Sequence, residues 1–337
     1  MRATTIHGPG DIRVEQVPDP RIEEPTDAIV RVTAGCICGS DLWRYRGDNP
    51  ITVGSTIGHE AVGVVEQVGA QVRRVQVGDF VIVPFCHCDN TCANCLAGVQ
   101  SACVRSGTTQ SGQAELTRVG QADGSLVRTA PPGPHLLPSI LALTDVMPTG
   151  WHAAVSAGVR PGMTVAVVGD GAVGLCAVIA ARQQGADRVV VMSRHADRQR
   201  LATAFGATDV VAERDEAGVA AVLELTRGVG ADATLECVGT DQAVRTAFGL
   251  ARPGSTVGYV GVPHGVSLPI ERMFGRNIGL RGGVAPVRRY LPDLLGRVLA
   301  GSIDPGRVFD LDLPLDEVAE GYRAMAERRA VKVIVRP

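Results

Sequence analysis

The chain has 337 residues, 45% hydrophobic and 20% charged, with a formal charge of −2. This composition suits two folded domains, excludes a disordered chain and offers nothing to nucleic acid or an anionic membrane surface. Met1–Thr5 lack the apolar core of a signal peptide and the longest apolar stretch, Ala172 to Ala181, is too short to span a bilayer. A soluble, cytoplasmic protein is therefore expected.

Residues 1 to about 145 read as β-rich. Ile12–Val17, Ala28–Thr33, Ala61–Val68 and Phe80–Val83 are short β-branched runs separated by Gly-containing turns. Between them lie Cys38-Gly39-Ser40-Asp41 and Gly58-His59-Glu60. A thiolate, an imidazole and a carboxylate form the borderline donor set that zinc accepts. Asp145, in Leu143-Thr144-Asp145-Val146-Met147-Pro148, is a candidate third ligand beside Cys38 and His59 that would leave a coordination position open, with Glu60 either a fourth ligand when substrate is absent or a partner supporting the ligands from behind.

Nine cysteines without an export signal argue against a disulfide framework, and the five between Cys86 and Cys103 cluster as metal ligands do. Cys36, Cys176 and Cys237 sit in apolar runs and read as inert core residues.

The texture changes near Trp151. The strand runs Val165–Val168, Val189–Met192, Val210–Val211, Ala233–Leu235, Thr256–Val260 and Ile278–Leu280 begin here. They alternate with helical stretches at Ala172–Gln184, Ala196–Phe205, Gly218–Arg227 and Asp241–Ala251. Such alternation predicts a doubly wound parallel sheet covered on both faces. The tail reads as helices at Tyr290–Ala300 and Leu315–Arg328 and a strand at Val331–Val335, packing back onto the first domain.

Gly169-Asp170-Gly171-Ala172-Val173-Gly174 follows the first of these strands and opens its helix, the context a dinucleotide fingerprint requires. A carboxylate about 20 residues further on would select NAD by binding the adenosine ribose. That place holds Ser193 and Arg194, with Arg198 a turn later, so no carboxylate there repels a 2′-phosphate and NADP(H) is the expected cofactor. Backbone at Val238, Gly239, Gly261 and Val262, at two other strand ends, is expected to hold ribose and nicotinamide.

Together these motifs resemble the zinc-dependent medium-chain dehydrogenases/reductases, most closely the NADP-dependent secondary-alcohol dehydrogenase branch. The resemblance spans essentially the whole chain. It implies an α/β architecture in which a GroES-like β-rich catalytic domain (1–145 and 287–337) surrounds a Rossmann NADP-binding domain (146–286). It implies catalytic zinc on Cys38, His59 and Asp145, with Ser40 passing the proton and Lys332 as a late cofactor contact. Asp89, Cys92, Cys95 and Cys103 match the family's structural-zinc lobe, with Asp89 where the first cysteine usually stands. Cys86, His87 and Cys88 remain alternative fourth ligands, and a metal-free lobe remains open.

One departure concerns the proton relay: many relatives carry histidine two residues after the aspartate of the first motif, where this chain has Trp43. The implied activity is hydride transfer between NADP(H) and a small alcohol or carbonyl compound in a homodimer or homotetramer. An NAD-type polyol or threonine-like dehydrogenase is the alternative within the family, and a non-enzymatic NADPH-binding redox sensor the alternative outside it.

Overall fold

The computed structural model describes residues 1–337, which divide into two compact units: Met1–Asp145 with Pro286–Pro337, and Val146–Ala285. No helix is long and apolar enough to cross a membrane.

In the second unit, six parallel strands form one sheet. Its spatial order is Asp209–Val211, Arg188–Met192, Thr164–Val168, Ala231–Glu236, Ala251–Tyr259 and Gly279–Gly282. Taken along the chain this is the order 3-2-1-4-5-6, the doubly wound arrangement expected from the alternation of strands and helices. The strands Thr164–Val168 and Arg188–Met192 are almost wholly buried because helices cover both faces, which is why they read as unbroken valine runs. Order reverses between Thr164–Val168 and Ala231–Glu236, opening a crevice at their carboxyl ends.

The first unit is built on a seven-stranded sheet centred on Ala28–Ile37. Ala61–Val68 pairs antiparallel along one side of that strand. The chain's last strand, Val333–Arg336, pairs antiparallel on its other side, with Val333 opposite Ile37. Cys38 leaves the end of the central strand where Ala61–Val68 and Val333–Arg336 both begin. Register alone therefore gathers Cys38, His59-Glu60 and Lys332 at one sheet edge. A core of Ile6, Ile37, Ile57, Val318, Tyr322 and Val333 lies beneath, joining amino- and carboxyl-terminal segments.

Candidate functional site

Cys38, His59, Glu60 and Asp145 come together in the first unit, each offering a ligand atom, all within 4.8 Å of one another. Cys38 Sγ lies 3.6 Å and His59 Nε2 3.3 Å from Asp145 Oδ2. Ligand–ligand edges of a tetrahedral zinc site run about 3.3 to 3.8 Å, given bonds near 2.0 Å to N or O and 2.3 Å to S. The donors thus already stand at coordination spacing, and their chemistry fits zinc.

Each donor is held from behind. Asp41 Oδ2 accepts the Cys38 N–H at 3.0 Å, and its Oδ1 lies 3.4 Å from His59 Nδ1, leaving Nε2 to face Asp145. Burial alone would push the His59 pKa down, but Asp41, Cys38 and Asp145 together hold it well above the usual histidine range. Burial also raises the Cys38 thiol, helped by Asp145. The Gln113 amide donates to the Cys36 carbonyl at 3.0 Å and lies 3.4 Å from Asp41 Oδ2, while its oxygen accepts from Tyr322.

Lys332, expected as a late cofactor contact, sits beside Glu60. It is 1% exposed, and its ammonium donates to Glu60 Oε1 at 2.6 Å and to the Ile37 carbonyl at 3.2 Å. Burial disfavours that charge, yet Cys36, Glu60, Cys38 and Asp145 outweigh it and keep the ammonium charged well above the usual lysine range. Thr144 Oγ1 approaches the other Glu60 oxygen at 3.3 Å. Ser40 stands at the N-cap of the short helix Asp41–Arg46 but makes no side-chain cap bond, so its hydroxyl is not committed locally.

The second donor cluster is Asp89, Cys92, Cys95 and Cys103, again with ligand atoms within 4.8 Å. Cys92 and Cys103 sulfurs are 3.9 Å apart, close to a tetrahedral S–S edge of about 3.8 Å. Asp89 Oδ1 accepts the Thr91 and Cys92 N–H groups, which hold its pKa well below the usual carboxylate range. His87, an alternative ligand from the sequence, is not one here: Nδ1 accepts from the Gly120 N–H at 3.1 Å and Nε2 lies 3.0 Å from Thr109 Oγ1. Cys86 and Cys88 are buried outside the cluster, Cys88 with its sulfur against the Gly124 carbonyl.

In the second unit, Gly169 has φ +116°, open to glycine but strained for other residues, and a Cβ on Gly174 would stand 2.0 Å from the Gly169 carbonyl. A Cβ on Gly171 would meet nothing within 4 Å, so no protein contact requires glycine there. That open space above the N-terminus of helix Ala172–Gln183, which has no side-chain cap, suits a pyrophosphate. Ala172 and Val173 form the first helical turn, where backbone N–H groups have no partner within the helix.

Ser193 is buried, Arg198 half-buried and Arg194 exposed. Backbone groups at the other strand ends already have protein partners. The Val238 and Gly239 N–H groups both donate to Glu236 Oε1 at 2.8 Å, the Gly239 carbonyl accepts from the His264 N–H, and the Val262 carbonyl faces His264 Nδ1. Glu236 ties the ends of Ala231–Glu236 and Ala251–Tyr259 together, with Val260 and Gly261 donating to its carbonyl. Asp41, Gln113 and Glu236 are the supporting residues that sequence reading passed over. Only Asp41, three residues from Cys38, carried a signal.

Comparison with known proteins agrees with this geometry. Residues 24–130 match the alcohol dehydrogenase GroES-like domain and residues 172–299 the zinc-binding dehydrogenase domain. A Mycobacterium tuberculosis protein named a probable zinc-binding alcohol dehydrogenase is 39% identical over 336 residues, covering 97% of this chain and 86% of its own. Zinc-type alcohol dehydrogenase B of Aspergillus flavus is 35% identical, covering 99% and 81%. The alcohol dehydrogenase TADH from Thermus sp. ATN1 superposes with a TM-score of 0.90 at 33% identity, covering 100% and 99%.

Proposed function

The chain belongs to the zinc-dependent alcohol dehydrogenases of the medium-chain dehydrogenase/reductase family, and from that premise we propose that it oxidises a small alcohol, or reduces the matching carbonyl compound, with NADP(H) as preferred carrier. The observation that carries this reading is the coordination-spaced set Cys38, His59 and Asp145, backed by Glu60.

When bound there, zinc supplies Lewis acidity, drawing an alcohol's ionisation towards neutral pH or polarising a carbonyl. Every other part belongs to the chain. Asp41 orients His59, and the buried Lys332 ammonium holds one Glu60 oxygen. The Ser40 hydroxyl is uncommitted two residues past Cys38, and it accepts the substrate's proton in oxidation and returns it in reduction. Trp43 leaves no imidazole next in line, so the proton continues through water. Asp89, Cys92, Cys95 and Cys103 would hold a second, structural zinc.

For the carrier, the Gly171 space receives the pyrophosphate, and Ser193 with the exposed Arg194 guanidinium receives the 2′-phosphate.

The test is absorbance at 340 nm across a panel of alcohols and ketones, with and without chelator, alongside metal analysis. Chelator-sensitive turnover and about two zincs per chain are expected from two tetrahedral donor sets. Cys38→Ser abolishes turnover while leaving dinucleotide binding nearly unchanged; wild-type turnover in that variant refutes the metal assignment. The KM for NADPH lies about tenfold below that for NADH, and Arg194→Ala removes most of the gap.

A further inference from the structure

Ser193 and Arg198 are already bound to an anion, and that anion belongs to the protein. Asp170, the second residue of the glycine loop, accepts the Ser193 hydroxyl proton at Oδ2 (2.8 Å), and Arg198 Nη1 faces its Oδ1 at 3.3 Å and its carbonyl at 3.4 Å. All three side chains are largely buried: Ser193 is 4% exposed, and the Arg198 and Asp170 side chains are 12% and 14% exposed. Register makes the meeting unavoidable. Val168 pairs with Met192, so Asp170 and Ser193 leave two adjacent parallel strands at the same carboxyl edge, and Arg198 reaches back from the first turn of the helix Ala196–Ala204.

We propose that Asp170 is a specificity-determining residue for the nicotinamide cofactor, a carboxylate that keeps NAD(H) usable and limits discrimination in favour of NADP(H). The proposal rests on the dinucleotide site described above and refines its coenzyme preference. In NAD-selective folds of this type a carboxylate at the end of the second strand binds the adenosine ribose hydroxyls and repels a 2′-phosphate. Here that strand ends in Ser193, and the carboxylate comes instead from the loop beside it. A 2′-phosphate at Ser193 competes with Asp170 for the one hydroxyl proton and lies close to a fixed like charge. A 2′-hydroxyl, in contrast, can donate to the carboxylate without displacing it. Arg198, half-neutralised by Asp170, attracts phosphate less than its position suggests, and the exposed Arg194 carries the recognition.

The test uses the full chain with Asp170→Asn, and with Asp170→Ser as an independent variant should the amide fold poorly. Dissociation constants for NADPH and NADH are measured by nicotinamide fluorescence, with steady-state constants for each. Removing the charge is expected to raise the NADPH-over-NADH preference about tenfold, through tighter NADPH binding and KM with kcat little changed. A ratio that stays put in both folded variants, or one that moves towards NADH, overturns the proposal. The latter would mean that Asp170 serves by holding Ser193 and Arg198 ready for phosphate. If the native protein binds NADH the tighter, the NADP preference above fails, yet the same shift on removing the charge still supports Asp170's role. Binding of neither dinucleotide overturns both.

Discussion

Lys332, the only lysine of the chain, is buried opposite Glu60 at 2.6 Å, and the pair lies at the edge of the proposed zinc site. Removing one member of a buried ion pair strands the other without solvent or partner, at a cost of about 3 to 5 kcal/mol. Lys332→Met is therefore expected to lower unfolding stability by about that amount, measured by urea melts of the zinc-free protein. Lys332→Met combined with Glu60→Gln should recover most of the loss, because no bare charge remains. A single variant as stable as the native chain would show that Glu60 takes up a proton instead.

This pair marks where sequence reading stopped at the residue scale. Cys38 and His59 stood out because the chain has only 9 cysteines and 7 histidines, whereas Asp145 stood out only through the motif around it. The Lys332–Glu60 and Asp170–Ser193 contacts were not legible, since both form through strand register, which spacing along the chain does not display.

Elements were legible where their period was. The valine runs of the parallel sheet and the alternating helices were found within a few residues. The helix Val146–Ala157 was not, since Pro148 and Gly150 interrupt any helical pattern there. Pro148 lies in the first turn, where no intrahelical N–H bond is lost, and a Cβ on Gly150 would stand 2.5 Å from the Ala177 backbone, so the glycine permits close helix packing. The helix Ile270–Arg276 buries no residue and left no apolar stripe to read.

Another element-scale consequence concerns the two-residue strand Cys86–His87 that leads into the cysteine lobe. Since Nδ1 of His87 accepts from Gly120, its proton sits on Nε2 and donates to Thr109, whose hydroxyl donates onward to the Pro84 carbonyl. Protonating Nδ1 would set two N–H groups against each other, and burial already pushes the His87 pKa down to about 4 from 6.5. The folded-state pKa is the lower one, so the unfolded chain binds more protons between these values. The stabilising contribution is complete above pH 6.5 and is lost as pH falls towards 4, about 3 kcal/mol in all. Urea melts across that range should show this slope in the native protein, and His87→Gln, which keeps a donor to Thr109, should flatten it. Parallel slopes in both proteins would place the acid sensitivity elsewhere.

At the scale of the molecule, the two units differ in how the chain closes them. Val146–Ala285 is continuous, and its six strands and the core around Val190, Leu250 and Val257 are all internal to it. The other unit is discontinuous: its central strand Ala28–Ile37 is paired on one side by Val333–Arg336, and Tyr322 and Val318 fill the core under Ile6 and Ile37. A fragment of residues 146–285 should consequently fold alone, with cooperative thermal unfolding, and retain dinucleotide binding, since the glycine loop, Ser193 and Arg194 all lie within it. The full chain cut after residue 330 should lose ordered structure in the first unit. Without the last strand, the central strand exposes an unpaired edge beside Cys38, and Lys332 no longer reaches Glu60. Dinucleotide binding should survive that truncation, and zinc retention should not. A truncated chain that keeps its metal while the isolated fragment fails to bind dinucleotide would reverse this assignment of autonomy, and would mean that the continuous unit takes its shape from the split one.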